Sequence, residues 1–250
     1  MSRYPGRILS STPPTVSTTS AKGIWTLDEA MRYQKAGTWP VPTGNGDPYF
    51  GYNTLLLPGQ GTNGAQNNTF LDSSTNNFTI ARNGNTTQGT FTPFSHSDGY
   101  WGNYFNGGGS GYLNAVSNAV FAFGTGDFTL EAFIYVTSYP SAGTAAGNII
   151  SAHNWNGSGF DFTFRIGQTG LLYFEISAGG STTSSSSVPL NQWTHVAVAR
   201  AGGTVRFFAN GSQIYSGSNA INYSGGATSA YIGGGPGFTA VPACYMSNFR

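Results

Sequence analysis

FTLEAFIYV, residues 128–136, alternates apolar with other side chains along its length, and it opens a series of similar runs: FDFTFRI (160–166), LLYFEIS (171–177), WTHVAVAR (193–200) and TVRFFANGSQIY (204–215). In the first run Phe128, Leu130, Ala132, Ile134 and Val136 share one parity, while Thr129, Glu131, Phe133 and Tyr135 share the other. An extended chain therefore makes one face apolar throughout, whereas a helix would scatter those residues around its circumference. The turns agree. Asn210-Gly211 is the pair favoured by a type I′ hairpin, and Gly202-Gly203 takes positive φ at little steric cost. The series predicts a two-sheet antiparallel sandwich with Leu130, Ala132, Ile134, Phe162, Phe164 and Phe174 facing inward.

One hairpin register follows from parity alone. Phe160, Phe162, Phe164 and Ile166 share a face, as do Leu172, Phe174 and Ile176, and same-face partners must have numbers summing to an even value. A two-residue loop is excluded. A three-residue loop, Gln168 to Gly170, gives Gly170 the left-handed position and sets Ile166 opposite Leu172. Arg165 then faces Tyr173 and reaches diagonally to Glu175 as a solvated contact on the outer face.

At 250 residues the chain suits one large β-domain with a sizeable core. Only 8% of residues are charged, while aromatics reach 15% and glycines number 37; ordinary globular proteins carry roughly 25% charged residues. Solubility must rest on Ser, Thr, Asn and Gly. A formal net charge of +1 without a basic cluster argues against a nucleic-acid footprint or membrane-surface binding. The single cysteine, Cys244, excludes an internal disulfide framework and reads as a small buried hydrophobe. The start, MSRYPGRILSSTPPTVS, lacks the apolar core of a secretory signal, so the chain is expected to be made in a cytoplasm. No stretch approaches the ~20 apolar residues of a membrane span.

Residues 1–48 read as an N-terminal arm, and the domain proper as 49–250. STPPTVSTTSA (11–21) has almost nothing to bury and should be extended. A short helix is predicted over about 26–36. Thr26 caps it, Asp28 suits its first turn, Glu29 completes a capping box, and Gly37 with Pro40 ends it. So short a helix is marginal alone, so Trp25, Leu27, Met31 or Trp39 should dock it, with another subunit as the natural partner. Further strands are expected at 55–57, 77–81, 90–94, 100–105, 112–116 and 229–232. The last run, Cys244 to Arg250, stops inside what reads as a strand and suggests a longer natural chain.

The acids are Asp28, Glu29, Asp47, Asp72, Asp98, Asp127, Glu131, Asp161 and Glu175. Glycoside hydrolysis needs two carboxyls about 5 to 9.5 Å apart, and no acidic pair has the alternate spacing that would place both on one strand face. Among His96, His153 and His195 there is no HExxH run, and no Gly-x-Ser-x-Gly elbow occurs. His195 shares a face with Trp193 and Ala197 and reads as a hydrogen-bonded structural residue. Asp127 follows Gly124-Thr125-Gly126 at a strand entrance, where a carboxylate and backbone carbonyls can hold calcium or the carboxylate can simply cap the turn. No other cofactor is expected. Loop aromatics are the remaining functional cue. Tyr100 and Trp101 lie in one segment, His153 and Trp155 in another; such rings stack on the C–H faces of sugars or pack against their own domain.

The runs FLDSSTNNFTI (70–80), FGTGDFTLEAFIY (123–135), VPLNQWTHVAVAR (188–200), VRFFANGSQI (205–214) and YMSNFR (245–250) resemble the laminin-G-like jelly rolls of the concanavalin A-like lectin/glucanase superfamily, over about four-fifths of the chain. The resemblance implies an all-β jelly-roll sandwich in a superfamily of lectins, glycosidases and structural modules. GIWTLDEAMRYQKAGTWP (23–40) is similar to the leading segments of virion proteins from marine, cyanophage-type tailed phages. That similarity implies a tail-fibre or decoration protein on the virion exterior, joined by its arm to other virion proteins and to its own copies as a homo-oligomer, with host-surface glycan as the candidate ligand. A purely structural module and a glycan hydrolase are the alternatives.

Overall fold

In the computed structural model, residues 15–17, 20–22, 32, 36, 50–61, 69–94, 100–108, 110–141, 147–153, 162–176, 180–223, 228–235 and 243–250 are described. The chain divides into two units, Met1–Tyr52 and Asn53–Arg250. In the first, strands β1 (Thr15–Ser17) and β2 (Ser20–Lys22) pair antiparallel. The predicted helix lies outside the described residues except at Arg32 and Ala36, where the Ala36 N–H donates to the Arg32 carbonyl at 3.1 Å. Trp25, Leu27, Met31 and Trp39 also lie outside them.

The second unit carries β3 (Ile80–Asn83), β4 (Thr87–Gly89), β5 (Gly102–Phe105), β6 (Tyr112–Asn118), β7 (Phe128–Val136), β8 (Asn148–His153), β9 (Phe162–Ile166), β10 (Leu171–Ile176), β11 (Gly180–Ser187), β12 (Trp193–Ala201), β13 (Thr204–Ala209), β14 (Ser212–Ser218), β15 (Thr228–Ile232) and β16 (Cys244–Ser247). They form two seven-stranded antiparallel sheets, ordered β11-β10-β9-β8-β15-β6-β3 and β14-β13-β12-β7-β16-β5-β4. This is the expected all-β jelly-roll sandwich. Among the described residues no helix is long and apolar enough to cross a membrane.

The inward set is as parity requires: Leu130, Ala132, Ile134, Phe162, Phe164 and Phe174 are all buried. Rings meet across the sandwich, Phe164 against Phe207 at 6.2 Å and Phe128 against Phe174 at 5.2 Å. Cys244 is buried among these groups, and desolvation pushes its thiol up to about 12. It packs as a hydrophobe and is inert as a nucleophile. The β9–β10 hairpin has the predicted register, Leu172 opposite Ile166 and Tyr173 opposite Arg165, with Gly170 at φ 78°. Both glycine turns also hold: Asn210 and Gly211, like Gly202 and Gly203, have positive φ.

Several expectations need correction. Arg165 and Glu175 form no solvated surface pair: Arg165 is 7% exposed, binds the carboxylate through two nitrogens at 2.7 and 2.8 Å, and lies 4.3 Å over the Tyr173 ring. Residues 55–57 are not a strand; only Leu57 bridges to Phe249, because Pro58 has no donor and Gly59 turns at φ 86°. Asn77 at φ 46° delays β3 to Ile80. Residues 90–94 leave the sheet altogether: β4 ends at Gly89, Pro93 cannot donate, and Phe91 and Phe94 turn onto the outer face. After Ser247, Asn248 at φ 51° ends β16 before Phe249 and Arg250 return to pair with Leu57 and Glu131.

A candidate binding face on the outer side of the second sheet

The alternation that sends Leu130, Ala132 and Ile134 inward sends Glu131, Phe133 and Tyr135 outward, and the pairing of neighbouring strands converts this local pattern into a row. Trp193 of β12 stands opposite Tyr135 of β7, Tyr135 opposite Tyr245 of β16, and Tyr245 opposite Tyr104 of β5. Their ring centres are 5.8, 6.1 and 4.9 Å apart in that order. Four aromatic side chains thus cross four strands, a span of roughly 14 Å at a strand spacing of about 4.8 Å. A second line runs beside it, His195 opposite Phe133 with ring centres 4.9 Å apart. Phe91 and Phe94, from the segment following β4, lie on these rings and remain 44% and 36% exposed. Flat rings with phenolic hydroxyls and an indole N–H offer stacking surface and polar edges together.

The end of the second line is electrostatically closed. Glu131 accepts from His195 Nε2 at 3.0 Å and from Arg250 Nε, while Glu131 and Arg250 also exchange backbone hydrogen bonds of 2.8 and 3.0 Å. Burial opposes ionisation of Glu131, but the His195 hydrogen bond and the Arg250 guanidinium together outweigh it and hold the carboxyl below its ordinary value of 4.5. A depressed folded-state pKa means that ionisation favours folding: the benefit is complete above 4.5 and is lost as pH falls through the lower folded value. Glu131→Gln is therefore expected to cost about 1–2 kcal/mol at pH 7 and progressively less toward pH 3, measured by urea unfolding at each pH. A cost independent of pH would contradict this assignment.

The loop aromatics singled out from sequence behave differently. Trp101 is half-buried, its indole N–H donates to the Gly61 carbonyl at 3.0 Å and its backbone N–H to Gly59 at 2.9 Å. It fastens its own domain. Tyr100 is half-buried and meets Phe94 of the outer face, with ring centres 6.5 Å apart. His153 ends β8 in the other sheet, opposite Ser229, and Trp155 lies outside the described residues. Tyr100 and Trp101 thus precede β5 of the second sheet, while His153 belongs to β8 of the first.

Asp127 accepts the Gly202 N–H at 3.0 Å, which is the turn-capping role. The carbonyls proposed to join it around calcium are taken by Arg200. This residue is 2% exposed and donates to Gly126 at 2.9 Å, Gly124 at 2.9 Å and Ile221 at 2.6 Å, with its guanidinium 4.9 Å from the Tyr223 ring centre and 5.2 Å from that of Phe128. A fixed cation already uses those dipoles and would repel a metal ion. Among the described residues no group of three or more His, Cys, Asp or Glu side chains could hold one.

Residues 106–245, more than half of the chain, match the Laminin_G_3 family, described as the concanavalin A-like lectin/glucanases superfamily. Solved structures share the fold at low identity. The botulinum neurotoxin serotype G binding domain superposes with a TM-score of 0.55 at 14% identity, over 78% of this chain and 46% of that one. For the binding domain of Paraclostridial Mosquitocidal Protein 1 the values are 0.53, 15%, 78% and 48%. Trypanosoma rangeli sialidase in complex with 2,3-difluorosialic acid gives 0.50 at 16% identity, over 78% of this chain but 29% of that one. The chain spans about half the length of the toxin binding domains it matches. No curated protein matches the sequence. The second unit is a lectin-like jelly-roll domain similar to those toxin binding domains.

Proposed function

Because this chain belongs to the concanavalin A-like lectin/glucanase superfamily, we propose that it is a non-enzymatic binding module whose jelly roll takes up neutral host-surface glycan on the outer aromatic row, and that it serves as a structural protein on the exterior of a phage virion. The observation that carries the binding function is the in-register row Trp193–Tyr135–Tyr245–Tyr104, over which the partly exposed Phe91 ring lies. Sugar C–H faces stack on such rings while hydroxyls pair with the phenols. The placement on a virion rests on the likeness of residues 23–40 to phage virion segments and on the low charge of an exposed, hydroxyl- and amide-rich surface.

Non-enzymatic action is supported by the state of Glu131. A general acid needs a raised pKa, and this carboxyl is held low by His195 and Arg250. Of the other described acids, Asp72 is buried and accepts the Leu56, Ser74 and Phe78 N–H groups, Asp127 caps a turn, and Glu175 belongs to the other sheet. None stands beside Glu131 in these pairings.

Glycan-array binding of the intact chain before and after Trp193→Ala tests the proposal. Losing one stacking partner should weaken binding roughly three- to tenfold, corresponding to about 0.5–1.5 kcal/mol. No binding to any host-derived polysaccharide would favour a purely structural module, and sugar cleavage would favour a hydrolase.

A further inference from the structure

We propose that the ring of Phe91 is an internal stand-in for the glycan: it fills a one-ring aromatic subsite made by Tyr135, Trp193 and Tyr245, and a sugar ring binds there by replacing it. This rests on the glycan-binding function proposed above and gives that function a self-occupied subsite.

Three ring contacts define the subsite. The centre of Phe91 lies 4.8 Å from Tyr135 and 4.7 Å from Tyr245, both in edge-to-face geometry, and 5.5 Å from Trp193 at a 34° tilt. The three partners come from β7, β16 and β12, so the sheet itself builds the receptacle, while the occupant arrives from outside the strands. Phe91 nevertheless stays 44% exposed. A core phenylalanine is covered on all sides, and an incidental surface phenylalanine does not collect aromatic partners from three strands. The arrangement is that of a ligand ring seated in an open aromatic site.

The main chain and the ring of Phe91 are held independently. Gly102 of β5 allows the Phe91 carbonyl so close that a Cβ at that position would sit 1.9 Å from the oxygen. The segment is thus seated on the sheet through its backbone, and the ring can leave by rotation about its side-chain bonds without unzipping a strand. The same seating keeps the displaced ring beside the site as a tethered competitor at high effective concentration.

The chemistry of the occupant names the class it stands in for. A pyranose is a ring of similar size with apolar C–H faces, and its rim hydroxyls can meet the phenols of Tyr135 and Tyr245. A charged group would lose hydration against these rings, and Glu131 on the same sheet face is already paired with His195 and Arg250. Neutral hexoses are therefore the class. A competitor that occupies the subsite multiplies the observed affinity by the fraction of time the site stands open, and so weakens it.

The test is calorimetric titration of the intact chain, wild type and Phe91→Ala, with cellohexaose, laminarihexaose, maltohexaose and mannohexaose. Phe91→Ala should bind at least one of them about tenfold more tightly than wild type, and adding Trp193→Ala should remove the gain. Phe91→Leu, which keeps apolar cover without a flat ring, serves as the second variant and should show a smaller gain; circular dichroism verifies that each is folded. If wild type binds and neither variant binds more tightly, Phe91 is part of the platform and the proposal is overturned, with the glycan function intact. If neither wild type nor variants bind any of the four sugars or any array glycan, the proposal falls together with the function on which it rests.

Discussion

Phe164→Ala is expected to destabilise the domain by about 3–5 kcal/mol, lowering the thermal midpoint by on the order of 10 °C. Phe164 is wholly buried on β9, paired with Phe174 of β10 and Ile150 of β8 and facing Phe207 across the sandwich. Truncation removes contacts to both sheets at once, and strands pinned on either side leave the cavity little room to collapse. Urea unfolding of wild type and variant measures the loss. A cost below 1 kcal/mol would mean that the side chain does not bridge the sheets as described.

Arg200→Leu should cost roughly 3–4 kcal/mol. Three carbonyls, those of Gly124, Gly126 and Ile221, converge on the guanidinium, and two aromatic rings flank it. Leucine fills part of the volume but takes the Arg200 donors from the Gly126 and Ile221 carbonyls, while Gly124 keeps only the Tyr223 N–H. Arg200→Lys should fall between wild type and leucine, because a compact ammonium cannot reproduce the planar fork that reaches three acceptors. Equal stability of lysine and wild type would contradict a role that depends on guanidinium geometry.

What could be read from the sequence was what depends on neighbours along the chain. The parity of β7, the Gly170 loop and the two double-positive-φ turns are decided within a few residues, and each stands in the structure. Strand β11, GSTTSSSS, was missed because it has no apolar alternation: it lies at a sheet edge, where only Ser184 is buried. The outward parity of Phe133 and Tyr135 was visible too. Its consequence was not, since the row needs Tyr104, Tyr135 and Tyr245 side by side, and their pairing is set by the order β12-β7-β16-β5. Tyr104 and Tyr245 meet across most of the domain's sequence. Loop rings such as Trp101 stand out more in the sequence, yet the Trp101 indole N–H is used within its own domain. Arg200 ended a strand-like run and carried no pattern that could mark its three carbonyl partners, which come from two distant turns.

The central claim is that the outer aromatic face of the second sheet is where glycan binds, and a crystal structure of the intact chain with a bound oligosaccharide, chosen as the strongest hit on a glycan array, tests it most directly. The predicted result is sugar rings in van der Waals contact with Tyr135, Trp193 and Tyr245, along the row toward Tyr104, with the Phe91 side chain displaced. Sugar bound on the other sheet or at the segment containing Trp155, with the outer row bare, would contradict it.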